Sequence, residues 1–258
     1  MATDVMTAPP PSSLDAADAA DGLDNFIGKW RARWPEWSVA EVFLPPAQRP
    51  VALAWAALQQ ELTDAAWGGS DARPGEAKLM WWSDELHGWA AGRRRHPLGV
   101  ILQRLSAPWT QLAAALPSLQ ATRERAGDTS EAFALLLSAA TAAASIEQAL
   151  FASAPSGPDG GIQHSRLIGA SWLQARLLRD PQSAVPLAVL ARAGGTADAA
   201  LAAWQRELWI AWPPVATGIA RPRRLWAALA RARLARGGAD RPLSAWAALW
   251  SAWRAARD

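Results

Sequence analysis

The residues able to do chemistry are few, and most are acids at the ends of apolar stretches. Carboxylates three or four positions apart on a helix share a face and can hold a divalent ion together. Gln60-Glu61-Leu62-Thr63-Asp64 is one such segment: Glu61 and Asp64 share a face, while Gln60 offers an amide where a second acid would stand. Leu177-Leu178-Arg179-Asp180 closes another apolar stretch. Pro181 stops that helix at once, and Ala184 occupies the position where a further acid would pair with Asp180. Asp84 and Glu85 are adjacent, so they diverge around a helix and make a poor metal pair; capping and packing explain them better. His87, His96 and His164 are the only histidines and form no HExxH pair, which argues against a zinc hydrolase. Cysteine and tyrosine are absent, removing disulfides, thiolate metal sites, a thiol nucleophile and any phenol acid. GxGxxG, GxxxxGK[ST] and GxSxG are also missing, so dinucleotide enzymes, P-loop NTPases and α/β-hydrolases are poor fits.

The elements that must position these groups read as helices. Alanine and leucine dominate, β-branched residues are sparse, and Pro and Gly fall between the helical stretches. The patterning predicts helices over about 22–40, 47–67, 75–91, 97–105, 109–124, 129–152, 162–179, 196–211, 222–236 and 242–256. With 258 residues, 51% of them hydrophobic and 19% charged, the chain can bury a sizeable core. The expectation is an all-α fold: a disordered tail over 1–21, rich in Ala, Asp, Ser and Pro, and one helical domain over 22–258. The 17 tryptophans are expected mainly as core, with Trp246, Leu249, Trp250 and Trp253 lining one face of the last helix and Arg254 and Arg257 turned away. The most apolar stretch, between Glu131 and Glu147, is shorter than a membrane span requires, and no basic, apolar leader opens the chain.

Charge is unevenly placed. The net charge is +3, but residues 1–24 hold five acids and no base, whereas residues 219–258 hold nine arginines and two aspartates. A basic end of this kind suits phosphate, an acidic partner or a membrane surface. Nucleic acid ranks low, because the Trp and Ala between the arginines follow helical packing rather than base stacking.

Taken together the segments resemble the squalene/phytoene synthase family of head-to-head prenyl synthases. Lys78-Leu79-Met80-Trp81-Trp82-Ser83-Asp84-Glu85-Leu86, then Gly92 and His96-Pro97, is similar to the family's LxWWRxEL…G…HP block. Phe43-Leu44-Pro45 with Arg49 looks like its FLP…R entry to the first aspartate motif, which Gln60–Asp64 resembles. Leu167-Ile168-Gly169-Ala170 through Asp180 is similar to the opening of the second motif, and Val185-Pro186-Leu187 to its close. The order and spacing agree over about 25–258.

The resemblance implies an isoprenoid-synthase-type bundle with a central cavity, in which two aspartate motifs hold Mg²⁺ and the diphosphates of prenyl donors. It assigns catalytic positions to Asp64, Asp180 and Glu61, metal binding to Asp64 and Asp180, and substrate contacts to Arg49, Gln60, Trp81, Trp82 and Arg179. One of Trp81 and Trp82 is expected to line the cavity. The departures at Gln60 and Ala184, with a shortened loop from Asp180 to Pro186, leave a Mg²⁺ cluster under-neutralised. The expectation is therefore a member that no longer catalyses and instead binds an isoprenoid or a protein partner, as the complex I assembly factors with a similar domain do. The alternative is an active Mg²⁺-dependent prenyl transferase with an altered metal site. The expected location is cytoplasmic or peripheral to the inner face of a membrane, and prenyl substrates and products favour the latter.

Overall fold

The computed structural model describes residues 13–154, 157, 159–194, 196–236 and 238–257, with side chains described from residue 21 onward. Twelve α-helices follow one another among these residues, without a strand: α1 (Ser13–Arg33), α2 (Trp37–Ala40), α3 (Arg49–Trp67), α4 (Arg73–Ala90), α5 (Gly99–Leu102), α6 (Trp109–Ala121), α7 (Thr129–Phe151), α8 (Gly160–Arg179), α9 (Leu187–Arg192), α10 (Ala197–Ile210), α11 (Arg221–Ala235) and α12 (Ala245–Arg257). The all-α expectation holds. The first predicted helix ends early, because Pro35 breaks it, and it begins early, since α1 already runs from Ser13 inside the stretch expected as tail. Residues 1–12 of that expected tail lie outside the described residues. The short α9 follows Pro186, a helix start that the sequence reading passed over.

Two layers form. Helices α4, α6, α7 and α8 pack in succession, α3 lies against α1, α4 and α8, and α11 joins α8 to α10 and α12. Helix ends carry their own signals. Asp128 accepts from the Glu131 N–H at 2.8 Å, and Glu131 reaches back to the Gly127 N–H at 2.6 Å, satisfying orphan donors at the start of α7. Gly75 lets α4 cross α3 closely, because a Cβ there would run into the Ala65 carbonyl oxygen.

Trp30, Trp34, Trp37 and Trp226 are buried and meet edge to face at 5.0–6.0 Å, joining α1 and α2 to α11. Helix α12 departs from the expected pattern. Its buried face is Ala248 and Ala252, whose small side chains let it lie close on α11, and the Trp246, Trp250 and Trp253 stripe turns outward. Helix α7 also corrects the sequence reading: at 23 residues it is long and apolar enough to cross a membrane, yet it packs between α6 and α8 as a core helix.

Candidate functional site

Helices α3 and α8 end side by side, so their C-terminal carbonyls, the negative ends of two helix dipoles, converge. Arginines answer that charge. Arg123 donates to the carbonyls of Ala66 (3.3 Å), Gly68 (3.0 Å) and Gly69 at the end of α3. Arg176 is buried and donates to the carbonyls of Arg123 at 3.0 Å and Ser183 at 3.2 Å. Its burial lowers its pKa to about 10, with Asp180 pulling the other way, so it remains a cation at neutral pH.

Asp64 and Asp180, the acids that the resemblance assigned to metal binding, sit in this setting. Asp64 is gripped by both terminal nitrogens of Arg33, each at 2.9 Å, and Arg179 Nε stands 3.8 Å away. Gly68 makes room for Arg179, because a Cβ there would lie 2.8 Å from its Nη2. Glu61 is buried and paired with Lys78 at 2.6 Å. Gln60 is buried with its amide oxygen unpartnered among the described residues. Asp180 caps the end of α8, where its Oδ1 accepts from the Ser183 N–H at 3.2 Å. It borders a cavity of about 230 Å³ lined also by Arg123, Arg176 and Trp67, and a cleft of about 640 Å³ lined by Arg125, Arg179 and Leu190.

This donor set does not fit a Mg²⁺ cluster. No group of three or more His, Asp or Glu side chains among the described residues is placed to share an ion. Both oxygens of Asp64 already face a guanidinium, and Glu61 faces an ammonium. Magnesium needs several free oxygens in octahedral geometry, and the flanking cations repel it.

The other residues assigned by resemblance hold structure. Arg49 donates to the carbonyls of Leu44 (3.2 Å) and Val42 (3.4 Å), bracing the turn before α3. Trp82 is sealed, packed at 4.5 Å on His96 and at 6.2 Å on Trp89. Trp81 is 37% exposed, beneath the Arg95 guanidinium at 5.2 Å. The cavity-facing position expected for one of the pair is therefore taken up by packing and surface contact. Glu85 explains the block. Its Oε1 accepts from the backbone N–H of Arg95 (2.7 Å) and His96 (2.8 Å) and from the Trp89 indole (2.8 Å), and its Oε2 accepts from Arg95 Nε at 3.0 Å. Burial would raise the pKa of Glu85, but these donors outweigh it and hold it below the usual carboxylate value. Gly92, at φ +77°, supplies the left-handed turn that brings the chain back to this carboxylate.

A buried network that the sequence reading missed links four helices of the bundle. Glu147 on α7 accepts from Arg223 Nε at 3.0 Å, His164 Nε2 at 2.8 Å and the Trp55 indole at 2.8 Å. Gln59 Oε1 accepts from Arg223 at 2.6 Å and from the Trp172 indole at 3.1 Å. All six residues are at most 3% exposed, and they link α3, α7, α8 and α11. Burial would raise the Glu147 pKa, but Arg223 and His164 overcome that and hold it well below the usual range. The available signal was a glutamate in the apolar, Ala-rich second half of α7, since a buried charge demands a partner.

Among solved structures, the chain is similar to squalene synthase HpnC from Alicyclobacillus acidocaldarius, with a TM-score of 0.55 and 17% identity, covering 88% of this chain and 97% of that one. The chain thus shares the all-α fold of that synthase. No family model matches it, and neither does any curated protein.

Proposed function

We propose that this chain is a squalene/phytoene synthase-like protein that does not ionise prenyl diphosphates and acts by binding, in the manner of an assembly factor, with a protein partner engaged at its outer surface. The carrying observation is that Asp64 and Glu61 are consumed by Arg33 and Lys78. The buried polar network of Glu147, Arg223, His164 and Gln59 supports the same reading, because a prenyl chain and its carbocation need an enclosed apolar space. It favours a protein partner over an enclosed isoprenoid.

The alternative, an active prenyl transferase with an altered metal site, draws on one contact. Arg179 lies within 3.8 Å of Asp64, so the ends of the two motifs do meet. Activity would require Arg33 and Lys78 to release both acids.

The test is diphosphate release from farnesyl or geranylgeranyl diphosphate with Mg²⁺, beside a working synthase. The expected result is no release above the buffer rate. Release that vanishes in Asp64→Ala overturns the proposal and establishes the alternative.

A further inference from the structure

Among the described residues, the outer face of α10 and α12 gathers four exposed tryptophans. Trp246 is 81% exposed and Trp250 60%, and Trp253 and Trp209 are also exposed. Trp246, Trp250 and Trp253 recur at helical spacing, so they project from one side of α12. Trp250 and Trp253 stack at 5.0 Å. A groove of about 370 Å³ runs beside them, lined by Trp209, Trp212, Val215, Trp250 and Arg254. Bare indole of this extent in water marks an interaction surface.

Charge decides what covers it. From Arg221 to Arg257 the chain has nine arginines and one acid, Asp240. Arg223, Arg224 and Arg233 are buried, which leaves Arg231, Arg236, Arg254 and Arg257 among the exposed ones. Two of these are interleaved with the indoles: Arg257 lies over Trp253 at 4.5 Å, and Arg231 over Trp209 at 5.7 Å. Indole pairs an apolar body with an N–H and partitions to the boundary between lipid headgroups and acyl chains; guanidinium pairs with lipid phosphates. Trp246 stands proud of the surface instead of sitting in a pocket, which suits shallow insertion into a fluid layer.

We propose that this face docks the protein onto an anionic lipid surface, with Trp246 and Trp250 inserted at headgroup depth and Arg231, Arg254 and Arg257 on lipid phosphates. The site lies apart from Asp64 and Asp180 and does not depend on the reading of their chemistry.

The experiment is co-sedimentation of the whole chain with vesicles of phosphatidylcholine alone and of phosphatidylcholine with phosphatidylglycerol, at low and high salt. Binding is expected to the anionic vesicles, weak to the neutral ones, and falling steeply with salt. Trp246→Ala with Trp250→Ala should reduce partitioning about tenfold or more, as should Arg254→Glu with Arg257→Glu. Both pairs are exposed, and unchanged circular dichroism spectra verify their folds. Absence of binding to anionic vesicles at low salt overturns the proposal, as does binding that survives both double variants. A dimer in light scattering that the tryptophan pair abolishes overturns it too, assigning the face to a second copy of the chain.

Discussion

At the scale of single residues, the chain spends its buried charges on structure. Glu147 and Arg223 are nearly inaccessible and satisfy each other, with Gln59, Trp55 and His164 completing the set. Removing one partner strands the other. Arg223→Met is expected to lower the unfolding free energy by about 3–5 kcal/mol in urea titrations, because Glu147 is left charged in a dry interior. Glu147→Leu should cost a similar amount by stranding Arg223. The double variant should lose clearly less than the sum of the two, since each substitution removes the charge the other strands. Additive losses would mean that the two side chains act independently.

At the scale of elements, the connection from α4 to α5 is held by a carboxylate and a neutral imidazole. Glu85 gathers the Arg95 and His96 N–H groups. The ring of His96 packs on Phe26 and Trp82, and its Nδ1 accepts from the Leu98 N–H at 3.1 Å, which requires that nitrogen to be unprotonated. Burial lowers the His96 pKa from 6.5 to about 4, against the pull of Glu85 and with smaller help from Lys78 and Lys29. The unfolded chain therefore binds this proton at higher pH than the folded one, and stability falls as pH drops from about 6.5 to 4. After allowance for partial solvent screening, the loss is about 1–2 kcal/mol. Chemical denaturation across that window should show the slope in the native chain and a flatter profile in His96→Gln. Glu85, whose pKa is lowered from 4.5, begins to add its own loss only as pH falls through about 4.5, at the acid end of that window. An equal slope in both proteins would place the titration elsewhere.

Elements were also what the sequence displayed most legibly. Helices α3, α4, α7 and α8 fall within a few residues of their predicted spans, because Pro, Gly and capping residues punctuate long Ala- and Leu-rich runs. The candidate site was legible only in part. The positions of Asp64, Asp180 and Glu61 could be found through the resemblance, but the pairing of Asp64 with Arg33 and Arg179 and of Glu61 with Lys78 depends on contacts from other helices that no local pattern announces. The stripe on α12 had the right period and the wrong side. Periodicity tells which residues share a face; whether the Trp or the Ala side lies on α11 depends on how closely the two helices approach.

At the scale of the whole molecule, the chain shares the all-α fold of a squalene synthase, and four of its helices meet through Trp55, Trp172, Gln59, Glu147, His164 and Arg223. A ligand that binds only the folded state raises its melting temperature, so occupancy of the interior is measurable without any reaction. Farnesol carries the prenyl chain without a charge for the arginines to hold, and it should leave the melting temperature of the native chain unchanged. Trp172→Ala removes a sealed indole and is expected to cost about 3–5 kcal/mol, leaving an apolar void. Indole, which matches the group removed, should restore part of that loss in the variant and do nothing for the native chain, as apolar voids of this kind accept small apolar guests. Stabilisation of the native chain by farnesol, persisting when Trp246 and Trp250 are replaced by alanine, would mean that the interior opens to prenyl chains. The binding function would then move from the outer surface to the centre of the bundle.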